Sequence, residues 1–236
     1  MQYKGEEGIE QNRKTFDQGE ICLKENKIMR VKKFYNSFVR IYDLLKIPWN
    51  KIFSQKAEKK FSEFLINNLD QETSVLELGC GTGVNLEKIY DLDVEFKNYI
   101  GVDITPNMLK KAKSKFPDHS SVTFVQEDLK NFVNEGINNQ KTYDIILCVW
   151  VLSHLENQAR IINQVQELLS EKGKVFLIFL TKPKWYVGFW MTPFLKWIFS
   201  ANYVPENEIR QFNNISSFHR FSAGMVSVVE ISKEQK

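Results

Sequence analysis

The sequence predicts an α/β fold in which helices cover both faces of a mostly parallel sheet, giving three layers. Short apolar runs of the kind that form buried strands alternate five times with segments of helical periodicity. One such run, Tyr143 to Val149, is apolar on both faces, as a central parallel strand is. Ligands of such folds bind at the carboxyl ends of the strands, so the functional residues are expected there.

Length, charge and cysteine content exclude several classes of protein. The 236 residues suffice for one sizeable domain with a buried core. With 32 basic and 29 acidic residues, the net charge of +3 gives no overall basic field for nucleic acid, and we predict no such partner. The three cysteines, Cys22, Cys80 and Cys148, are odd in number and far apart, which argues against a disulfide framework and against a metal site. We therefore expect no metal.

Apolar stretches are too short to span a bilayer, and the N-terminus has no apolar leader. We expect a cytoplasmic protein. The polar composition of residues 1–30 predicts a flexible segment, to which we assign no role. Two N-terminal helices are predicted in residues 31–70, and the ligand-binding domain is predicted in residues 71–236. Within that domain, residues 182–205 form an aromatic insert.

The stretch from Ser74 to Asn85 places three glycines, Gly79, Gly81 and Gly83, directly after an apolar run. A glycine loop between strand and helix lets the backbone approach a ligand closely. The G-x-G-x-G spacing is neither the dinucleotide pattern nor a phosphate loop. Glu77 precedes the glycines, and its carboxylate would repel a pyrophosphate but suits an ammonium or sulfonium group. The alternative is a glycine turn in another α/β protein.

This stretch resembles motif I of class I S-adenosylmethionine-dependent methyltransferases, and the chain is most similar to their quinone, phospholipid and small-molecule branch. The resemblance extends over residues 34–232. It implies a Rossmann-like sandwich with a seven-stranded sheet, which an antiparallel hairpin of residues 214–221 and 225–232 would complete. It also implies S-adenosylmethionine as cofactor and S-adenosylhomocysteine as product.

Three further positions carry the resemblance along the chain. Asp103 ends the second strand and would accept from the ribose hydroxyls, although it can be an ordinary acid at a strand end. Met108 would flank the adenine, or fill the core. Asp128 and Leu129 would bind the adenine amine and a ring nitrogen, unless Asp128 is simply a turn carboxylate. The implied cofactor-binding residues are Tyr42, Glu77, Gly79, Cys80, Gly81, Gly83, Asp103, Ile104, Met108, Asp128, Leu129 and Cys148.

Candidate substrate residues lie in three places. His154, at the mouth of the site, could remove a proton from the acceptor or line its pocket, or only brace the following helix. Tyr35 and Tyr42 lie on a segment that folds over the cofactor in the resembling branch, although Asn36 departs from that pattern. The alternative is that both tyrosines only pack in the core or on the surface of an amphipathic helix. This segment is why we interpret residues 31–70 as a cofactor lid. In the insert, Trp185, Trp190 and Trp197 suit an apolar acceptor, a membrane interface or a satellite core.

The resemblance implies methyl transfer by in-line displacement to an oxygen or nitrogen atom of a small-molecule or lipid-like acceptor. Two other functions stay open: a phospholipid or quinone methyltransferase at a membrane surface, with peripheral membrane contact, and a non-catalytic S-adenosylmethionine-binding partner protein. The glycine spacing disfavours an NAD dehydrogenase. The sequence does not indicate an oligomeric state.

Overall fold

A computed structural model describes residues 53–117, 119–184 and 202–233. The predictions for Tyr35, Tyr42, Trp185, Trp190 and Trp197 lie outside these residues. The helices and strands in the described ranges are α1 (Gln55–Asn68), β1 (Ser74–Leu78), α2 (Val84–Asp91), β2 (Asn98–Asp103), α3 (Pro106–Lys115), β3 (Val122–Gln126), α4 (Leu129–Asn138), β4 (Tyr143–Val149), α5 (Gln158–Val165), β5 (Leu169–Leu180), α6 (Glu206–Ile209), β6 (Ile215–Phe221) and β7 (Val226–Ser232).

The strands form one seven-stranded sheet in the order β3-β2-β1-β4-β5-β7-β6. The first five strands are parallel, whereas β7 runs antiparallel to both β5 and β6. β6 and β7 form the predicted hairpin, joined through a short 3-10 turn at Ser222–Gly224. The predicted Rossmann-like fold with a terminal antiparallel hairpin is therefore confirmed.

Two hydrophobic clusters lie on opposite faces of the sheet and make the three layers. On one face, α1 and α2 pack on β1, β4 and β5, where the ring of Phe176 lies 5.2 Å from Phe61 and 4.6 Å from Phe64. On the other face, α4 and α5 cover the same strands. Burial of the apolar side of α1 accounts for its amphipathic pattern. None of the helices in the described ranges is both long and apolar enough to cross a membrane.

The helical spacing of apolar residues over 157–170, with Gly173 after them, predicts a helix of that length, but the helix in the structure is shorter. α5 ends at Val165, a 3-10 turn follows, and Leu169 already belongs to β5 and pairs with Tyr143. The hydroxyl of Ser170 donates to Oδ1 of Asp144 at 2.6 Å, which holds the strand start in place. Although burial alone would raise the pKa of Asp144, hydrogen bonds from Ser170 and Ser74 lower it. Sheet pairing thus overrides the helical periodicity of this stretch.

Candidate functional site

The glycine loop leaves β1 at the carboxyl edge of the sheet and turns sharply into α2. Gly79, Gly81 and Gly83 have φ values of +74°, +54° and +77°, a region that side chains rarely adopt. The amide groups of Gly79 and Cys80 donate to the carbonyl of Val102 at 2.7 and 3.0 Å, so the loop is tied to the end of β2. The predicted glycine loop between a strand and a helix is confirmed.

Two of these glycines are needed for different reasons. A Cβ on Gly79 would lie 2.3 Å from Cγ2 of Val151, so the loop after β4 packs directly on this backbone. A Cβ on Gly81 would meet no heavy atom of the described residues within 4 Å. Glycine is therefore needed at position 79 because Val151 packs against its backbone, whereas Gly81 borders open space at the strand ends. Backbone N–H groups next to such a space are suited to a ligand.

Asp103, the last residue of β2, lies directly beside that space. Its Oδ2 accepts the N–H of Gly81 at 3.0 Å, and its Oδ1 accepts the N–H of Thr105 at 2.8 Å. Burial raises the pKa of the carboxyl group, and these two hydrogen bonds only partly offset the effect. A carboxylate has about four acceptor positions, so two hydroxyl groups of a ribose can still be accommodated. The geometry fits the predicted ribose contact.

Glu77 is fully buried between β1, β2 and α2. Its Oε1 accepts the amide of Asn85 at 2.6 Å, and its Oε2 accepts the hydroxyl of Tyr99. Burial and the nearby carboxylate raise the pKa of Tyr99 well above its ordinary value, so the phenol remains a donor. Sequence reasoning predicted Glu77 but missed both partners. A tyrosine in an otherwise apolar strand was the available signal, because a buried phenol needs an acceptor.

The end of β3 lies beside the end of β2, as the prediction requires. The N–H of Glu127 donates to the carbonyl of Asp103 at 3.2 Å. Asp128 is the N-cap of α4, and its Oδ1 accepts the N–H of Lys130 at 2.9 Å. This is the role of a turn carboxylate, and it uses one of the two carboxylate oxygens. Leu129, next to it, is buried.

A threonine and a proline mark the start of the helix after Asp103. Pro106 occupies the first turn of α3, and Thr105 is its N-cap residue, but the Thr105 side chain makes no capping hydrogen bond. Its backbone N–H is instead used by Asp103. Ile104 is half-buried, and Met108 is buried, which agrees with a core role for the methionine and leaves its adenine contact a prediction.

The two predicted cysteines in the described ranges are both buried. Burial, together with the charge of Glu77, raises the pKa of Cys148 to about 12 and the pKa of Cys80 well above its usual value. Both thiols are therefore protonated and unsuited to nucleophilic attack. In the site, Cys80 is a small side chain of the glycine loop, and Cys148 is a small side chain near the end of β4.

The segment after β4 closes the site on the side opposite β2. Trp150, which sequence reasoning did not select, has a φ of +66° and donates its N–H to Ile178 at 2.7 Å. His154 ends a 3-10 turn that starts at Leu152, and its N–H donates to the carbonyl of Val151 at 2.9 Å. Val151 itself packs on Gly79, so the turn that carries His154 is linked to the glycine loop through Val151.

The structure therefore brings the predicted residues of β1, β2, β3 and β4 to one edge of the sheet. A separate cavity of about 750 Å³ lies at the opposite, amino-terminal edge, between Thr73, Asp144 and Lys174. None of the predicted site residues that the structure describes lines it.

Comparison with known proteins agrees with this geometry. Residues 76–175 match a family model described as a methyltransferase domain. The chain is 29% identical over 146 residues to malonyl-[acyl-carrier protein] O-methyltransferase 1 of Ilyobacter polytropus, covering 62% of this chain and 50% of that protein. It is 30% identical over 105 residues to a ubiquinone biosynthesis O-methyltransferase of Glaesserella parasuis, covering 44% of this chain and 43% of that protein.

A solved structure of similar fold is magnesium protoporphyrin IX methyltransferase from Synechocystis with bound S-adenosylhomocysteine. The TM-score is 0.58 at 20% identity, over 77% of this chain and 84% of that chain, which supports the fold. The chain spans about half the length of the curated relatives it matches.

The cofactor fits the residues present. The open space at Gly81 leaves room for the backbone to approach a ligand, and Asp103 offers acceptors for a ribose beside it. Together with the matching domain, these features identify S-adenosylmethionine as the cofactor. Residues 76–175 of this chain therefore match a methyltransferase domain, and they lie within the seven-stranded Rossmann-like sheet.

Proposed function

We propose that this protein transfers a methyl group to an oxygen or nitrogen atom of a small-molecule or lipid-like acceptor. The observation that carries the proposal is the open space at Gly81 beside the Asp103 carboxylate, at the edge where β1 and β2 end. The curated relatives described above, both named as O-methyltransferases, favour oxygen as the methylated atom. A carboxylate and a phenol oxygen are the acceptor groups that their names suggest.

The chain's own contribution is alignment and exclusion of water. When bound, S-adenosylmethionine supplies a methyl carbon that is already electrophilic, so the acceptor needs positioning more than activation. The segment from Trp150 to His154 provides one wall, because Val151 fixes it against Gly79. Apolar side chains around Trp150 keep water from the acceptor.

His154 is the proposed proton acceptor for hydroxyl substrates. A histidine imidazole can accept a proton near neutral pH, and His154 ends the 3-10 turn after β4, three residues beyond Val151, which packs on Gly79. The proton on the acceptor's oxygen would pass to its imidazole as the new bond forms. A carboxylate acceptor arrives ionised and needs no base, so the role of His154 depends on the acceptor.

The proposal includes a cytoplasmic location and no nucleic-acid partner, both of which rest on composition. It also keeps peripheral membrane contact open through the tryptophans of the insert. The cofactor-lid role of residues 31–70 is proposed for the part before Gln55, because α1 itself packs on the sheet.

The test is transfer of a radiolabelled methyl group from S-adenosylmethionine to a panel of three acceptors. The panel contains a malonyl N-acetylcysteamine thioester for carboxylates, catechol for phenols, and phosphatidylethanolamine vesicles for lipid amines. We expect label in at least one of the first two. If catechol is methylated, His154→Gln should slow the reaction; if the thioester is methylated, the same variant should leave its rate unchanged.

The remaining results distinguish the alternatives. Label only in the vesicles, with vesicle binding lost when Trp185, Trp190 and Trp197 become Ser, would identify a membrane-surface enzyme. Binding of S-adenosylhomocysteine without transfer to any acceptor would contradict the enzymatic proposal and favour a non-catalytic binding protein.

A further inference from the structure

Trp150, the residue directly after β4, has a backbone conformation that bulky residues rarely adopt. Its φ of +66° lies in the left-handed region, where a large side chain is an outlier. The hydrogen bond from its N–H to the carbonyl of Ile178, at 2.7 Å, ties this conformation to β5. Such conformations persist where the surrounding fold imposes them, and they are concentrated at functional sites.

The indole of Trp150 carries a buried N–H with no hydrogen-bond partner among the residues that the structure describes. The ring lies against an apolar cluster, in which Leu180 and Met225 are buried and Phe53 and Tyr203 are half-buried. Buried donors almost always have an acceptor, because an unpaired one destabilises the fold. An indole nitrogen can only donate, so the missing partner must be an acceptor atom.

The position of Trp150 places this donor on the acceptor side of the site. The next residue, Val151, packs on Gly79 of the glycine loop. On the other side, the N–H of Leu180 at the end of β5 donates to the hydroxyl of Ser153 at 3.3 Å. Trp150 therefore lies between the residue that packs on the glycine loop and the end of β5, at the carboxyl edge of the sheet.

We propose that the indole N–H of Trp150 donates a hydrogen bond to a second oxygen of the methyl acceptor, next to the methylated atom. The second oxygen of a carboxylate and the neighbouring oxygen of a catechol both satisfy this requirement. Because Phe53 and Tyr203 are only half-buried, they can move aside when the acceptor enters. The inference rests on the proposed function and narrows its acceptor class.

Kinetics with Trp150→Phe test the contact, because phenylalanine keeps an aromatic ring and removes the donor. For the best oxygen acceptor of the panel, KM should rise about tenfold, with kcat and the affinity for S-adenosylhomocysteine unchanged. A hydrogen bond made equally in the ground state and the transition state has this signature. If catechol is a substrate, phenol is the matched control: it lacks the second oxygen, so the variant and the wild type should have the same KM for it.

Nuclear magnetic resonance of the wild-type protein gives a readout that does not depend on the variant's activity. Labelling the tryptophans with ¹⁵N gives five indole signals, and the one missing in Trp150→Phe belongs to Trp150. If that variant does not fold, Trp→Phe variants of the other four residues assign the signal by elimination. With S-adenosylhomocysteine bound, adding the acceptor should move this indole proton downfield and slow its exchange with solvent.

Three results would overturn the inference. An unmoved Trp150 signal at saturating acceptor, or an unchanged KM in Trp150→Phe, would refute the contact while leaving the proposed function intact. Failure of the wild type to methylate any panel acceptor would instead refute the proposed function, and the inference with it.

Discussion

Adding a methyl group at Gly79 should mainly affect stability, whereas adding one at Gly81 should mainly affect ligand binding. Both residues have positive φ, so alanine at either position costs about 1–2 kcal/mol relative to glycine. At Gly79 the new Cβ also meets Val151 at 2.3 Å, and overpacking of this kind costs about 1–3 kcal/mol more. At Gly81 the Cβ points into open space. Gly79→Ala should therefore mainly destabilise the fold, and Gly81→Ala should mainly block the ligand.

Thermal denaturation and calorimetry separate the two effects. For a chain of this size each kcal/mol lowers Tm by about 2–4 °C, so we expect a loss of about 4–20 °C for Gly79→Ala and about 2–8 °C for Gly81→Ala. The affinity of Gly81→Ala for S-adenosylhomocysteine should fall about tenfold to a hundredfold, because the methyl group occupies the cofactor's space.

Gly224→Ala is the matched control for the glycine pair. Its φ is +87°, and the nearest atom to an added Cβ, the carbonyl oxygen of Lys182, is 3.9 Å away. It lies in the β6–β7 turn, so it should lose stability as Gly81→Ala does and keep its affinity for S-adenosylhomocysteine. Unchanged binding by Gly81→Ala would refute the assignment of the open space to the cofactor.

Three further outcomes follow from the site. Tyr99→Phe removes one donor from the buried carboxyl group of Glu77, so the free energy of unfolding in urea should fall by about 1.5–3 kcal/mol, and an unchanged midpoint would contradict that role. Burial raises the pKa of Asp103 above its ordinary value of 3.8. The contribution of this carboxyl group to the stability of the apo-protein is therefore present below pH 3.8 and is lost as the pH rises through the raised pKa. Binding of S-adenosylhomocysteine, measured by calorimetry at decreasing pH, should weaken already above pH 3.8, because the carboxylate becomes protonated there. Iodoacetamide at mildly alkaline pH should label Cys80 and Cys148 only after unfolding, as judged by mass spectrometry. Rapid labelling of either of these two cysteines in the folded protein would contradict their burial.

The sequence predicted the parallel strands and the positions at their ends for one physical reason. Strands buried on both faces have continuous apolar runs, and parallel topology brings their carboxyl ends to one edge. Gly79, Asp103 and Asp128 could therefore be predicted to converge from chain order alone, and the structure places them at that edge. Their contacts with the cofactor remain predictions.

Contacts that depend on the register between strands were beyond sequence reasoning. Tyr99 reaches Glu77 only because β1 and β2 pair with Val75 opposite Tyr99. The end of α5 was misjudged because Leu168 and Leu169 fit a helical pattern as well as a strand. The left-handed backbone of Trp150 has no sequence signal, since it is imposed by the hydrogen bond to Ile178.

Calorimetric titration of the pure protein with S-adenosylhomocysteine, and separately with NAD, tests the identity of the cofactor most directly. We predict saturable binding of S-adenosylhomocysteine at one site, weakened by Asp103→Ala, and no heat of binding with NAD. Binding of NAD in its place, or no binding of S-adenosylhomocysteine by the folded protein, would contradict a site in which the glycine loop and Asp103 together bind the adenosyl group.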